Sequence, residues 1–126
     1  MATGHCVFEY RYRDGANYKQ HQDILLSGDF DPSDVEVIER SVGQDSWFIP
    51  EQVGLASLQH RFAEFGAVPD PDDHVWHEFI AMRAADEDDC VRLIPHGSKS
   101  DLTSAFRKVR NWDEARSPIY KKLLWR

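Results

Sequence analysis

The sequence lacks long apolar runs and has few cysteines, and each shortage argues against a class of protein. No stretch of the 126 residues approaches the roughly 18 consecutive apolar side chains of a membrane-spanning helix, so no membrane partner is expected. With only Cys6 and Cys90 the chain has no disulfide scaffold, and reduced thiols are expected. The first fifteen residues contain no basic leader followed by an apolar core. Together these features predict a cytoplasmic location.

Motifs for nucleophilic and nucleotide chemistry are also missing. No serine stands in a Gly-x-Ser-x-Gly setting, which is typical of hydrolases with a nucleophilic serine. The stretch "HGSKSD" (residues 96–101) has one glycine and one lysine, too few for a phosphate-binding loop. We therefore expect no cofactor and favour a function other than catalysis.

The charge of the chain is unevenly distributed. The net charge is −7, yet residues 1–96 carry 7 Lys and Arg against 19 Asp and Glu, whereas residues 97–126 carry 8 against 3. An acidic body is poorly suited to bind a phosphate backbone, so nucleic acid is not the expected partner. The basic segment either packs on the acidic body or meets an acidic partner, and RNA binding through it is a weaker alternative.

The start of the chain predicts a β-hairpin. Apolar and aromatic side chains alternate with polar ones in a period of two, which is typical of a half-buried strand. The residues expected on one face are Cys6, Phe8, Tyr10 and Tyr12, and those on the other are Val7, Glu9, Arg11 and Arg13. The turn residues "DGAN" (residues 14–17) follow, and residues 18–28 predict the return strand.

Two helices and a strand are predicted next. In "FDPSDVEVIERSVG" (residues 30–43), Asp31 suits the N-cap and Pro32 the first helical position, and Gly43 is expected to end the helix in a left-handed conformation. The run "SWFIP" (residues 46–50) predicts a third strand. Residues 54–66 have apolar side chains at helical spacing and predict a second helix.

The second half predicts another hairpin and a helical end. The first strand covers "HVWHEFIAMRAA" (residues 74–85), and "CVRLIP" (residues 90–95) is expected to return beside it after the turn "DEDD". Alternation along the first strand places Val75, His77, Phe79 and Ala81 on one face, and Trp76, Glu78, Ile80 and Met82 on the other. Residues 98–117 predict a helix capped by Ser100, and a short helix starts at Ser117 and Pro118.

These elements predict one α+β domain over residues 1–126, with the order ββαβαββαα. Strands that arrive as hairpins favour a largely antiparallel sheet, here about five strands from two hairpins and a single strand. Helices packed on one face would complete two layers. Residues 97–126 would form a basic C-terminal helical segment.

The first hairpin carries the side chains that contact surfaces favour. Tyrosine and arginine offer large contact area with a polar end. The predicted binding residues are Tyr10, Tyr12, Arg13, Tyr18 and Lys19. The same residues are also consistent with cross-strand pairs that stabilise a hairpin, or with stacking on nucleic-acid bases.

The stretch "DDHVWHEF" (residues 72–79) concentrates histidine and acid. A small metal-dependent hydrolase centred on His74, His77 and Glu78, with His21 or His60 as a further ligand, is therefore an alternative function. In a strand, however, His74 and His77 point to opposite faces because their offset is odd. Neither histidine spacing matches the His-Glu-x-x-His pattern of zinc proteases. A structural role for this segment is therefore the favoured interpretation, with no metal bound.

Three sequence blocks carry a resemblance. "YRDGANYK", "WFIPEQVGL" and "DDHVWHEF" occur in that order within residues 8–80 and resemble blocks of a group of small bacterial proteins. The resemblance implies a bacterial, cytoplasmic origin and brings no activity with it. The basic C-terminal third lies outside the similarity.

The leading hypothesis is a small acidic cytoplasmic protein-interaction module, a regulator or inhibitor that acts through a surface. Its partner would be another protein. Association of two copies through an open sheet edge is a further alternative.

Overall fold

The computed structural model describes residues 3–13, 19–56, 58 and 76–113, and the structural statements below concern these residues. Five strands, three α-helices and two 3₁₀ turns are present. In chain order they are β1 (His5–Arg13), β2 (Lys19–Ser27), α1 (Pro32–Ser41), a 3₁₀ turn (Gln44–Ser46), β3 (Trp47–Phe48), a second 3₁₀ turn (Pro50–Val53), β4 (His77–Ala84), α2 (Glu87–Arg92), β5 (Pro95–Ser98) and α3 (Lys99–Lys108).

The strands form one sheet in the order β3-β4-β1-β2-β5. Three of the four neighbouring pairs are antiparallel, and β5 runs parallel to β2. The predicted α+β class with a largely antiparallel sheet of five strands is confirmed. The predicted first hairpin is also confirmed, because β1 pairs with β2 along its whole length.

The core lies on one face of this sheet, which we call the inner face. The alternation in β1 places its aromatic side chains there, as predicted, and α1 and α3 cover them. Phe8 illustrates how the layers meet, since its ring centroid lies 5.4 Å from that of Phe79 in β4 and 5.9 Å from that of Phe106 in α3. Contacts of this kind stabilise a fold by about 0.5–1.5 kcal/mol each beyond the burial of apolar area.

Helix α1 starts as predicted and ends differently. The Asp31 side chain accepts a hydrogen bond from the Ser33 N–H at 2.8 Å, and the Asp34 side chain accepts one from the Asp31 N–H at 3.0 Å. The left-handed ending predicted at Gly43 is wrong. The chain leaves the helix through Val42 in an extended conformation (φ −76°, ψ 158°), and Gly43 donates its N–H to the Trp47 carbonyl. Positive φ occurs later, inside the following 3₁₀ turn.

Lys99 joins the starts of α1 and α3. Its Nζ lies 3.0 Å from Asp34 Oδ2 and donates a hydrogen bond to the Asp29 carbonyl at 2.6 Å. The hydrogen bond to Asp34 raises the pKa of Lys99. Lys99, the first cation of the basic C-terminal segment, therefore makes its contacts within the fold, between two helices that cover the core.

Because of a bulge in β4, the side chains of this strand that face the core differ from those predicted. Glu9 pairs with Ala81 and Tyr10 pairs with Phe79, so Ile80 is an extra residue in β4. The bulge moves Met82 into the core, where alternation had placed Ala81. His77 and Phe79 lie before the bulge and face the core as predicted.

The fifth strand was predicted in the wrong place. Residues 87–92 form α2 instead, because Asp86 and Asp89 make reciprocal hydrogen bonds to each other's backbone N–H at 2.8 and 2.9 Å. Cys90 and Leu93 pack over Val7 on the other, outer face of the sheet. The second hairpin is therefore absent from the described chain, and one short helix lies on the face expected to have none.

Asp89 anchors this short helix. Its carboxylate is almost completely buried and lies 2.6 Å from Arg83 Nη1 and 3.1 Å from Arg92 Nη2. The hydrogen bond from Arg83, followed by the one from the Asp86 N–H, holds the pKa of Asp89 well below its ordinary value. A carboxylate whose pKa is lowered by folding stabilises the fold at pH values above the pKa it has in the unfolded chain. This stabilisation is lost as the pH falls below that value.

Replacing Asp89 with asparagine is therefore expected to have a pH-dependent effect. At neutral pH the free energy of unfolding should fall by about 1–3 kcal/mol, because the amide keeps the shape of the side chain and loses its charge. The difference should shrink below about pH 4, where the unfolded carboxylate takes up its proton. Urea unfolding of both proteins across this range measures it, and a difference independent of pH would contradict the assigned ion pair.

The last described helix is shorter than predicted. Ser98, and not Ser100, caps α3, and the helix ends at Lys108 because Val109 is extended. The turn at residues 14–17, the predicted helix at residues 54–66 beyond Leu58 and the final helix from Ser117 lie outside the described residues. Within the described residues, every helix is too short or too polar to cross a membrane.

Candidate functional site

A row of four side chains crosses the outer face of the sheet. Trp47 in β3 pairs with Glu78 in β4, Glu78 with Arg11 in β1, and Arg11 with His21 in β2. Directly paired residues of antiparallel strands project to the same side, so these four side chains are neighbours. Helices α1 and α3 lie against the opposite face.

Glu78 holds two arginines in this row. Its Oε2 accepts a hydrogen bond from Arg11 Nη2 at 2.9 Å, and its Oε1 lies 3.0 Å from Arg13 Nε. Glu78 and Arg11 are partly buried, whereas Arg13 is 39% exposed. Shared pairing with one carboxylate fixes the direction of both guanidinium groups, while Arg13 keeps access to solvent.

Two tryptophans stack at one end of the row. The ring centroids of Trp47 and Trp76 are 6.1 Å apart with an angle of 28° between their planes. Trp47 is 40% exposed, although its neighbour Phe48 is fully buried. We call the surface formed by Trp47, Trp76, Glu78, Arg11 and Arg13 the Trp–Arg face. An exposed indole beside ordered arginines is the composition that protein-binding surfaces favour.

The predicted binding residues divide between the two faces of β1. Tyr10 and Tyr12 are buried in the core, so they cannot contact a partner in this fold, and the prediction is corrected for both. Arg13 and the exposed Lys19 lie opposite each other in the register of β1 and β2, and both side chains project from the outer face. Tyr18 lies outside the described residues. Tyr10 and Tyr12 therefore have a structural role in the core.

His77 is a fully buried core residue. Its Nε2 lies 2.9 Å from the backbone nitrogen of Leu58 and accepts the hydrogen bond, so Nε2 carries no proton. The imidazole ring centroid lies 5.1 Å from that of Tyr12 and 6.4 Å from that of Phe48. Tyr10 also reaches this region, where its hydroxyl donates to the Ala56 carbonyl at 2.8 Å. These contacts indicate that His77 is a packing residue of the core whose Nε2 acceptor has a hydrogen-bond donor.

The described residues of the alternative hydrolase site do not come together. His77 projects into the core, whereas Glu78 and His21 lie on the outer face. His74 and His60, the other two proposed ligands, lie outside the described residues. Among the described residues, no three His, Cys, Asp or Glu side chains converge closely enough to hold a metal ion.

Two further features among the described residues are candidates for a chemical role: the Cys6 thiol and a groove beside α3. Burial raises the pKa of the Cys6 thiol to about 11, which keeps it protonated at neutral pH. An open groove of about 620 Å³ beside α3 is lined by both signs of charge, namely Lys108 and Arg110 together with Asp101 and Asp113. Such mixed lining does not favour a phosphate backbone over other ligands.

Comparison with family models, curated proteins and solved structures gave no match to this chain.

Sequence reasoning missed the two tryptophans of the Trp–Arg face. A signal was present, because Trp47 precedes a core phenylalanine and Trp76 precedes a core histidine. Alternation places Trp76 on the face opposite His77, and the same rule places Trp47 opposite Phe48. Their contact with each other depends on the pairing of β3 with β4, which the sequence alone does not state.

Proposed function

We propose that this chain is a protein-interaction module that binds another protein through the Trp–Arg face. Its setting would be a bacterial cytoplasm, where it acts as a small regulator or inhibitor. The observation that carries the proposal is the exposed, stacked Trp47 beside two arginines fixed by Glu78. These groups project from the sheet face opposite α1 and α3.

Preorganisation is the physical reason to expect useful affinity from so few side chains. Ordering a long side chain on binding costs roughly 0.5–1.5 kcal/mol, and this cost falls if the side chain is already held. Arg11 and Arg13 are held by Glu78, and the indole of Trp47 is supported by Trp76. A partner that offers an apolar patch next to a carboxylate would satisfy both the indole and Arg13.

Two substitutions test the proposal. Trp47→Ala removes the exposed indole, and Arg13→Glu reverses the charge of the more exposed arginine. Each is expected to weaken partner binding by about 30-fold or more, the effect of losing a residue worth about 2 kcal/mol at an interface. The measurement is capture from the native host with mass spectrometry, followed by titration of the purified partner.

Matched controls come from the same chain. Ile80→Ala shortens an apolar side chain of similar exposure in the neighbouring strand β4, and Arg107→Glu makes the same charge change on α3. Both should bind normally. The proposal fails if the wild type captures no reproducible partner, or if the captured protein binds Trp47→Ala and Arg13→Glu as tightly as the wild type.

A further inference from the structure

The edge of the sheet beside β2 is open over the first part of that strand in the described chain. β5 lies on this edge and pairs with β2 only at Leu25 and Ser27. Among the described strands, the segment Lys19–Asp23 therefore has β1 as its one neighbour. Every second residue of an edge strand directs its N–H and C=O away from the sheet, where they can pair with a further strand. We call Lys19–Asp23 the open edge.

The charges of the first hairpin are arranged with like signs opposite each other. Lys19 lies opposite Arg13 and Asp23 lies opposite Glu9, all on the outer face. Like charges directly opposite in a ladder destabilise it. The two charges on β1 are balanced by ion pairs with β4. Neither Lys19 nor Asp23 forms an ion pair with another described residue, so the charges on β2 lack this balance.

Antiparallel pairing of the open edge with its own copy would bring opposite charges together. With His21 of both copies at the two-fold axis, Lys19 of each copy lies opposite Asp23 of the other. Each row across the two hairpins then holds two acids followed by two bases, namely Glu9 and Asp23 of one copy and Lys19 and Arg13 of the second copy. The unfavourable cross-strand pairs of the single chain become parts of a complementary surface.

The same charges select this register over its neighbours. A shift by two residues places Lys19 or Asp23 opposite His21 and leaves the other charge without a partner in the edge. A shift by four places Lys19 opposite Lys19 of the second copy, or Asp23 opposite Asp23, which is repulsive. A shift by one sets outer-face side chains against inner-face ones. β5 begins level with Leu25, beyond the open edge, and leaves Lys19–Asp23 clear.

We propose that the open edge is a self-association surface, and that its occupant is the open edge of a second copy of this chain. Main-chain hydrogen bonds would join the two β2 strands and continue the sheet through the dimer. The two pairs of Lys19 with Asp23 would fix the register. Trp47 lies in β3, on the far side of β4 and β1, and would remain outside the pairing.

The size of the open edge sets the expected strength. Five residues per copy bury less than the roughly 1,200 Å² of total surface found in stable complexes, so the dimer should be weak and concentration-dependent. Sedimentation of the full-length chain measures it. Between about 10 µM and about 1 mM protein, the average mass should rise from 14.6 kDa toward twice that value.

Charge reversals test the register. Lys19→Asp and Asp23→Lys each set like charges opposite each other at both contacts, and each should reduce the association constant at least about tenfold. The double variant with both changes restores opposite charges, so its association constant should lie within about threefold of that of the wild type. Lys108→Asp and Asp101→Lys make the same changes at exposed positions of α3 and should associate normally.

A disulfide test reports the position of the axis. Residues directly opposite in antiparallel strands have Cα atoms about 4.5–5.5 Å apart, a separation that a disulfide can span. His21→Cys in a Cys90→Ser background, where the remaining Cys6 is buried, should therefore form a cross-linked dimer on air oxidation. Ser104→Cys on α3, in the same background, should remain monomeric.

The outcomes separate this proposal from the proposed binding function. Trp47→Ala should dimerise like the wild type, whereas Asp23→Lys should still bind the protein partner. The self-association surface is overturned by a wild type that stays monomeric at the highest concentration, or by a dimer that tolerates both single reversals. A monomeric wild type whose Lys19→Asp variant loses the protein partner would assign the open edge to that partner instead. Thermal unfolding of each variant at low concentration confirms that it is folded.

Discussion

Replacing His77 with alanine is expected to lower the free energy of unfolding by at least about 3 kcal/mol. Two costs combine in this estimate. The ring is fully buried among Tyr10, Tyr12 and Phe48, so its removal leaves a cavity. Its Nε2 also accepts the Leu58 N–H, which loses its partner inside the core. An effect this large would identify His77 as a structural residue of the aromatic core.

Two further substitutions separate the costs. His77→Phe fills the space and removes the acceptor, so about 1–3 kcal/mol should be lost. His77→Gln retains an acceptor near the position of Nε2 and should cost less than alanine. His21→Ala, on the exposed outer face, should change stability by about 0.5 kcal/mol or less. Urea unfolding measures all four, and equal losses for His77→Ala and His21→Ala would refute the structural assignment.

Replacing Tyr12 with alanine is expected to cost about 3–5 kcal/mol, comparable to other truncations of buried aromatic residues. Tyr12 is fully buried and its ring contacts His77. The adjacent Arg13 projects to the other face, where it pairs with Glu78. Arg13→Ala should cost only about 1 kcal/mol or less, since an ion pair with a partly exposed arginine contributes little to stability.

For the affinity for the partner, we expect the opposite ranking: Arg13→Ala should have the larger effect and Tyr12→Ala the smaller. Tyr12→Ala, measured below its unfolding temperature, should keep the affinity of the wild type within about twofold, since the buried ring touches no partner. Arg13→Ala should keep the fold and lose affinity. Stability and affinity measured on the same two purified variants therefore assign each face of β1. A Tyr12→Ala protein that is folded but no longer binds the partner would contradict this assignment and indicate that Tyr12 belongs to the contact surface.

The first hairpin shows what the sequence could and could not predict. Alternation placed Tyr10 and Tyr12 with Cys6 and Phe8, and the structure confirms that shared face. The same alternation implied that the tyrosines are buried, so their assignment to a binding surface conflicted with the pattern. Arg13 and Lys19 lie on the outer face, where that assignment is consistent with the fold.

Other differences come from interactions that a local pattern does not contain. The bulge at Ile80 depends on how β4 aligns with β1, and it alone moves Met82 into the core. Helix α2 was mistaken for a turn and a strand because its six residues are too few to show a helical period. The spacing of Asp86 and Asp89 was the available signal, since acids three residues apart can cap each other.

The Trp–Arg face needed the strand order as well as the alternation. Its residues come from three segments that are separated along the chain by 29 positions or more, and only the order β3-β4-β1 brings them together. The sequence presents Glu78 as a candidate metal ligand and its arginine partners as residues of the first hairpin. The pairing of β1 with β4 joins these two observations into one site.

We propose that the outer face of the sheet binds the partner and that the inner face only holds the fold. Hydroxyl-radical footprinting of the free chain and of its partner complex tests both halves in one experiment. Trp47 should be oxidised in the free chain and protected in the complex, while Tyr10 and Tyr12 stay unreactive in both. Equal oxidation of Trp47 in the two states, or tyrosines that react in the free chain and become protected on binding, would contradict the claim.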